Sequence, residues 1–447
     1  MLISATHKSS GKTVVSVGLC AAFIERGTCV QAFKKGPDYI DSAWLSLASA
    51  RPCYNLDFNT QSDTEIKSLF VNKSTCKTSL IEANKGLHDG LDPGGKDSNA
   101  ALAKLLNCSV VLVIDCAGMT RGIAPLLQGY KQFDSKVQIA GAILNQVGGT
   151  RHRTKLITAV ENYTDIPVLG AVEHHPDMIL PERHLGLIPS SEFDAASTAI
   201  NRIRKMVAEQ VDVNTIIKLA AVQPVTPKPI TKPPTEMRIG VFRDSAFSFY
   251  YPDDLESLEQ HGAELIFIDS VNDNALPPVD ALFIGGGFPE TQAHLLEKNA
   301  PLRLAVREAI ENKMPVYAEC GGLMYLTRSI ILKDKQYKMC GVIDADSIMH
   351  ERPQGRGYVE FTETSTMLWP DVEPKQSYRA HEFHYSSLVN MSQTPVTALE
   401  MSRGTGIEKQ RDGIVYNNLL ATYLHRRDCS QDQWIGRFTR FIKEHKQ

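Results

Sequence analysis

Residues 1–25, MLISATHKSSGKTVVSVGLCAAFIE, decide how the first half of the chain is read. Leu2–Ala5 is a short apolar strand candidate, Thr6–Gly11 is small and polar, and Val15–Glu25 spaces its apolar residues as a helix does. A strand that turns through a glycine loop into a helix presents unpaired backbone N–H groups to an anion. Ser10, Gly11, Lys12 and Thr13 are therefore the candidate phosphate-binding residues. Lys12 would add a point charge and the Thr13 hydroxyl would bind Mg²⁺. Thr6 stands where the common phosphate-loop pattern has its first glycine, so the match is incomplete at that end.

Outward from this loop, Cys29–Phe33, Val110–Ile114, Ala140–Leu144 and Pro167–Leu169 are further strand candidates, with a helix at Arg151–Glu161. The alternation predicts an α/β unit with a mostly parallel sheet. Ligands bind such sheets at the C-terminal ends of the strands, and carboxylates follow two of the apolar runs. Asp115 ends VVLVID and could hold a metal-bound water or support Lys12. Asp41, in GPDYID beside Lys34 and Lys35, could serve Mg²⁺ or the reacting acid, and Glu82 in SLIEANKG is another candidate. The expected metal set is Thr13, Asp41 and Glu82, with Asp41 also a catalytic candidate.

Residues 221–235, AVQPVTPKPITKPPT, hold five prolines and suit neither helix nor sheet. The expected organisation is an ATP-binding unit over 1–220, this linker, and a second α/β unit over 236–447. The second unit alternates again: MRIGVF, a helix through Leu255–His261, AELIFID, DALFIGGG, a helix from Pro301 to Asn312, then VYAECGGLMYL at 316–326. That last run places Cys320 between a strand and a helix with two glycines after it. A sharp turn of this kind can expose a nucleophile beside backbone donors, and the helix start is expected to lower the thiol pKa. Its base is His381, His384 or His425; His425 fits best because it ends the apolar run LLATYL. His381 and His384 have no clear third ligand that would make them a metal site. Gly285-Gly286-Gly287 could supply an oxyanion donor.

Bulk properties narrow the partners. With 48 basic and 51 acidic residues the formal charge is -3, which gives no field for a nucleic-acid backbone. No uncharged run is long enough to span a membrane. Nine cysteines stand singly, without a CxxC, so unpaired thiols and a cytoplasmic location are expected. Making ammonia at one site and spending ATP on an acid at another is the work of a glutamine-dependent amide synthetase.

The ordered motifs SSGKT (9–13), FKKGPDYID (33–41), RPCYNLD (51–57), DCAGMTRG (115–122), GAILNQV (141–147), PERHLGLIP (181–189), IGGGFPE (284–290), YAECGGLMYL (317–326), RAHEFHYS (379–386) and ATYLH (421–425) carry a resemblance. The chain resembles the cobyrinate a,c-diamide synthase family over nearly its full length. The resemblance implies a dethiobiotin-synthetase-like ATP domain joined to a class I glutamine amidotransferase domain. It also implies Cys320 as nucleophile with His425 as base, Lys12 and Thr13 at phosphate and Mg²⁺, and Asp41 and Glu82 near the metal or the activated carboxylate. ATP, Mg²⁺, glutamine and an anionic tetrapyrrole follow as expected ligands, and a homodimer as a possible assembly. Trp44 and Ala83-Asn84-Lys85 depart from the family pattern and look like its siroheme-amidating branch, with Trp44, Lys34 and Lys35 facing the macrocycle. Arg427 stands where many such enzymes carry a glutamate two residues after the histidine, so a third catalytic member is absent or comes from elsewhere, Glu382 being one candidate.

Overall fold

The computed structural model describes residues 1–176, 180, 182–183, 186–187, 195–226, 233–373 and 375–446. Residues 227–232 of the proline run and most of PERHLGLIP lie outside them. The chain divides into two compact units, Met1–Pro229 and Ile230–Gln447.

In the first unit a seven-stranded sheet runs in the order β3-β2-β4-β1-β5-β6-β7, with every pairing parallel. The strands are β1 Leu2–Ala5, β2 Val30–Lys35, β3 Tyr54–Leu56, β4 Thr78–Glu82, β5 Val110–Asp115, β6 Ile139–Val147 and β7 Val168–Glu173. Both faces are covered, so central strands read as continuous apolar runs such as Val110–Ile114, all fully buried. Two apolar clusters fill the two sides of the sheet, one with Ile3, Val111 and Ile143, the other with Leu2, Leu112 and Leu144. Strands β3 and β4 lay outside the sequence reading. The first has only three residues and the second opens on Thr78-Ser79, so neither shows a long apolar signature.

Helix α1, Lys12–Glu25, follows β1, and α2, Tyr39–Ser49, follows β2. The Asp38 side chain caps α2 by accepting from Asp41 N. Trp44 lies on the inward side of α2 and is fully buried in the cluster that holds Val17, Leu45 and Ala48. The expectation that its ring faces a macrocycle is corrected: a helix packed on a sheet must bury its apolar stripe, and Trp44 is part of that stripe.

A second correction concerns the cysteines. Cys29 and Cys76 form a disulfide with their Cα atoms 5.4 Å apart. They precede β2 and β4, which run side by side with Val30 opposite Thr78. Their separation of 47 residues gives no local signal of that pairing. The other seven cysteines are free.

The second unit is built on a ten-stranded mixed sheet. Ala263–Ile268, Met237–Phe242, Ala281–Ile284, Val316–Glu319 and Leu419–Thr422 are parallel neighbours in that order. Antiparallel strands Arg411–Tyr416, Thr397–Arg403, Gly355–Glu363 and Ser377–His384 continue the sheet, and Leu424–His425 forms its last edge. Only Tyr423 separates Leu419–Thr422, in the middle of this order, from Leu424–His425 at its end. The sheet therefore curls until its far edge returns to its centre, which brings His381 opposite His425. A smaller four-stranded sheet packs separately, from Thr327–Leu332, Lys335–Lys338, Ile343–Met349 and Ser386–Val389. Among the described residues no helix is long and apolar enough to cross a membrane.

Trp44→Ala should cost about 3–5 kcal/mol of unfolding free energy, the range for deleting a buried large aromatic side chain. Chemical denaturation of the variant measures this. A change in substrate preference at unaltered stability would contradict the core assignment.

Candidate functional site

In the first unit the loop between β1 and α1 meets the ends of β2 and β4. Gly11 caps α1 in a left-handed conformation, φ 89°, and a Cβ there would come within 2.1 Å of Asn145 Nδ2. Asn145, at the end of β6, donates to Ser10 O at 3.0 Å and braces the turn. The sequence reading quoted Asn145 within a motif without giving it this role. The Ser10 hydroxyl is used inside the loop, donating to His7 O at 2.9 Å. Lys12 is buried with Nζ 3.5 Å from His7 O, and burial brings its pKa down to about 8.

Thr13 Oγ1 donates to Glu82 Oε1 at 2.7 Å and lies 3.2 Å from Asp41 Oδ2. The Lys34 ammonium bridges the same two carboxylates at 2.5 and 2.9 Å and lies 3.8 Å from Asp38. Burial works against the Lys34 charge, but Asp41, Glu82 and Asp38 together raise its pKa well above the ordinary value. Burial likewise raises the pKa of Glu82, with Asp41 adding to the effect. Three carboxylates thus gather about one buried ammonium, and burial raises the pKa of Asp38 to about 7 as well. Glu82 Oε2 is buried without a hydrogen-bond partner among the described residues. The structure therefore brings Thr13, Asp41 and Glu82 together, with Lys34 as the ion between the two carboxylates.

Two other expectations fare differently. Asp115 Oδ1 accepts from Ala117 N at 2.9 Å, a local turn, and no contact with Lys12 is present among the described bonds. Lys35 is buried and turned inward, donating to Asp97 O at 2.6 Å, and Lys34 is fully engaged by carboxylates. Neither lysine is a free charge for peripheral acid groups, because each is buried against partners within the unit.

In the second unit Cys320 follows the strand Val316–Glu319 and caps the short helix Gly321–Leu326. Its φ of 46° and ψ of -96° make a strained turn, held by the bond from Cys320 N to Thr422 O at 2.7 Å. Only glycine fits beside it: a Cβ on Gly322 would lie 2.1 Å from Ile284 O. The triple-glycine loop packs directly on the elbow and the histidine. A Cβ on Gly321 would lie 3.0 Å from Gly287 N, and one on Gly286 would lie 2.4 Å from His425 Cε1. Within that loop Gly285 N–H donates to the Tyr250 hydroxyl at 2.8 Å and is not an oxyanion donor; Gly287 N–H lies nearest the elbow. The expected low thiol pKa is corrected. Burial pushes the Cys320 thiol well up, with Glu290 and Glu319 adding to it, against a single opposing bond at Gly321.

The three candidate histidines separate clearly. His425 lies beside Glu319, with Nδ1 3.4 Å from Oε2. The His381 ring stacks on His425 at 4.9 Å and is held neutral by burial, with His425 and Arg427 adding to the effect. His384 stacks on Tyr423 at 3.8 Å and its Nδ1 lies 2.8 Å from Ser386 O. Glu382 accepts from Thr405 N and Gly406 N at 2.8 and 3.0 Å, so it organises a loop and is not the partner of His425. No group of three or more His, Cys, Asp or Glu side chains arranged for a metal ion is present among the described residues. Glu319 went unnoticed in the sequence; a charged residue ending an otherwise apolar strand was the available signal.

A phosphate-loop unit with an acidic cluster and an α/β unit with a cysteine elbow define a glutamine-dependent, nucleotide-using ligase. Residues 1–188 match the CobQ/CobB/MinD/ParA nucleotide binding domain, and residues 238–429 match the CobB/CobQ-like glutamine amidotransferase domain. The chain is 40% identical to the cobyrinate a,c-diamide synthase of Magnetococcus marinus, over 99% of this chain and 97% of that protein. It is 38% identical to the synthase of Archaeoglobus fulgidus, over 99% and 97%, and 36% identical to that of Methanosarcina acetivorans, over 98% and 94%. The chain belongs to the cobyrinate a,c-diamide synthase family, and as a member it is an ATP- and glutamine-dependent amide ligase.

Two measurements probe this geometry. Lys12, with its pKa near 8 in the free protein, is largely neutral at pH 9. Polyphosphate favours the charged form, so nucleotide binding at pH 9 should take up a proton, and binding at pH 6.5 should not. Titration calorimetry in buffers of different ionisation enthalpy reads this, and Lys12→Ala should lose the uptake. Gly322→Ala, which forces a side chain onto Ile284 O, should lower glutaminase turnover at least tenfold and cost roughly 1–3 kcal/mol of stability. Normal turnover in that variant would mean that the elbow tolerates a looser turn.

Proposed function

We propose that the chain amidates peripheral carboxylates of cobyrinate, using glutamine as nitrogen donor and ATP to activate the acid. A carboxylate is a poor acyl donor because its leaving group is bad; phosphorylation by ATP supplies a better one, which ammonia displaces. What supports the reading is a phosphate loop with an acidic cluster and a cysteine elbow in a chain aligned with named cobyrinate synthases over nearly their full length.

At the nucleotide site, the α1 N-terminus and Lys12 would hold phosphate oxygens. Thr13, Asp41 and Glu82 fit magnesium, because they are hard oxygen donors and Glu82 Oε2 is buried without a partner among the described residues. Magnesium takes few protein ligands and keeps waters and phosphate oxygens, so a cage of three carboxylates is not required. When bound, the ion would neutralise charge on the phosphates. At the other site, Cys320 attacks the glutamine amide, His425 moves the proton to departing ammonia, and Gly287 N–H is the proposed donor to the oxyanion. Because burial keeps the thiol protonated, the histidine has to act as base in the attacking step.

The siroheme alternative loses its support. The relatives are cobyrinate synthases, and Trp44, Lys34 and Lys35 are buried. Purified protein supplied with glutamine, ATP, Mg²⁺ and either cobyrinate or siroheme should give amide products by mass only with the first. Amidated siroheme as the main product would reverse the assignment. Cys320→Ala should abolish the glutamine-dependent reaction and keep the ammonia-dependent one, whereas Lys12→Ala and Asp41→Asn should impair both.

A further inference from the structure

A histidine that serves a nucleophile needs a partner on its far nitrogen, which fixes the tautomer and steadies the imidazolium. The position two residues beyond the histidine cannot supply it here: the Arg427 guanidinium donates to Asp253 Oδ2 at 2.6 Å. Glu382 is committed to Thr405 and Gly406. The geometry points to Glu319, the residue immediately before the nucleophile, as the positioning residue for His425, an inference that rests on reading Cys320 and His425 as the glutaminase pair.

Glu319 and His425 are 3% and 2% exposed, so their interaction is sheltered from water. Glu319 Oε1 accepts from the Tyr317 hydroxyl at 2.7 Å and from Arg426 N at 3.0 Å. The second donor is the backbone next to His425 itself, so carboxylate and imidazole are fixed to one frame. Oε2 is then left 3.4 Å from His425 Nδ1. That separation is long for a hydrogen bond, and contacts of this kind tighten when substrate binds. The arrangement arises because Glu319 pairs with Thr422 across adjacent parallel strands, and the chain reaches His425 three residues later.

On this proposal Glu319 keeps the proton on Nδ1, so that Nε2 is the nitrogen that acts as base. It takes the thiol proton as the sulfur–carbon bond forms on the glutamine amide. The same proton leaves with ammonia as the carbon–nitrogen bond breaks. Water then cleaves the thioester to glutamate and restores the thiol. In these steps Glu319 exchanges no proton.

Glu319→Gln in the full chain tests this. The amide keeps the size and can still accept from Tyr317 and Arg426 N, but it presents an N–H to Nδ1 and favours the wrong tautomer. Glutaminase kcat should fall on the order of 10²–10⁴-fold, the scale seen when a triad carboxylate becomes an amide. The KM for glutamine, ammonia-dependent amidation and the melting temperature should stay near wild type. Nitrogen NMR of histidine-labelled protein, assigned with His425→Gln, should show the proton on Nδ1 in the parent and on Nε2 in Glu319→Gln. Glu319→Asp, which keeps the charge in a shorter side chain, should retain more activity than the isosteric amide. Wild-type kcat in Glu319→Gln, an unchanged tautomer, or an Asp variant worse than Gln would overturn the inference. Glutamine hydrolysis that survives Cys320→Ala would instead overturn the underlying site reading, whatever Glu319 does.

Discussion

Backbone crowding at the turn where a parallel strand hands over to a helix governs both units. At Gly11 the chain must take a positive φ under Asn145, and at Gly322 it must pass against the carbonyl of Ile284. Side chains at these points would push the helix start away from the strand end. The N–H groups and reactive side chains would then no longer converge. Both chemistries therefore depend on residues chosen for having nothing beyond the backbone.

Around these turns the two units handle charge in opposite ways. The nucleotide site gathers carboxylates about Thr13 and offsets them with one buried ammonium, Lys34. The glutaminase site keeps its thiol and His381 neutral by burial and reserves one carboxylate, Glu319, for the histidine. In a low-dielectric site such a carboxylate acts most strongly at the moment the imidazole becomes charged.

Much of this was legible from local pattern. SSGKT between a strand and a helix marked the phosphate loop, and the Cys-Gly-Gly after an apolar strand marked the elbow. The carboxylate at 41 was legible from GPDYID after a strand candidate; Glu82 was named as a candidate although the strand it ends was not read. Trp44 and the lysines at 34 and 35 misled because a motif says which residues are near a site, not which way they face. Their orientation follows from packing: Trp44 fills the α2 stripe against the core, and Lys35 turns to Asp97 O.

By itself, then, the amino-acid order determined the two α/β units, the two strand-to-helix turns and the cysteine that stands at the second of them, because each is written in contiguous residues. The tertiary structure alone decided the partners. The curl of the ten-stranded sheet set His425 beside Glu319, 106 positions earlier in the numbering, and opposite His381. Strand order placed Cys29 against Cys76 and Lys34 between Asp41 and Glu82. Those contacts depend on register between strands far apart in the chain, and no local periodicity encodes it.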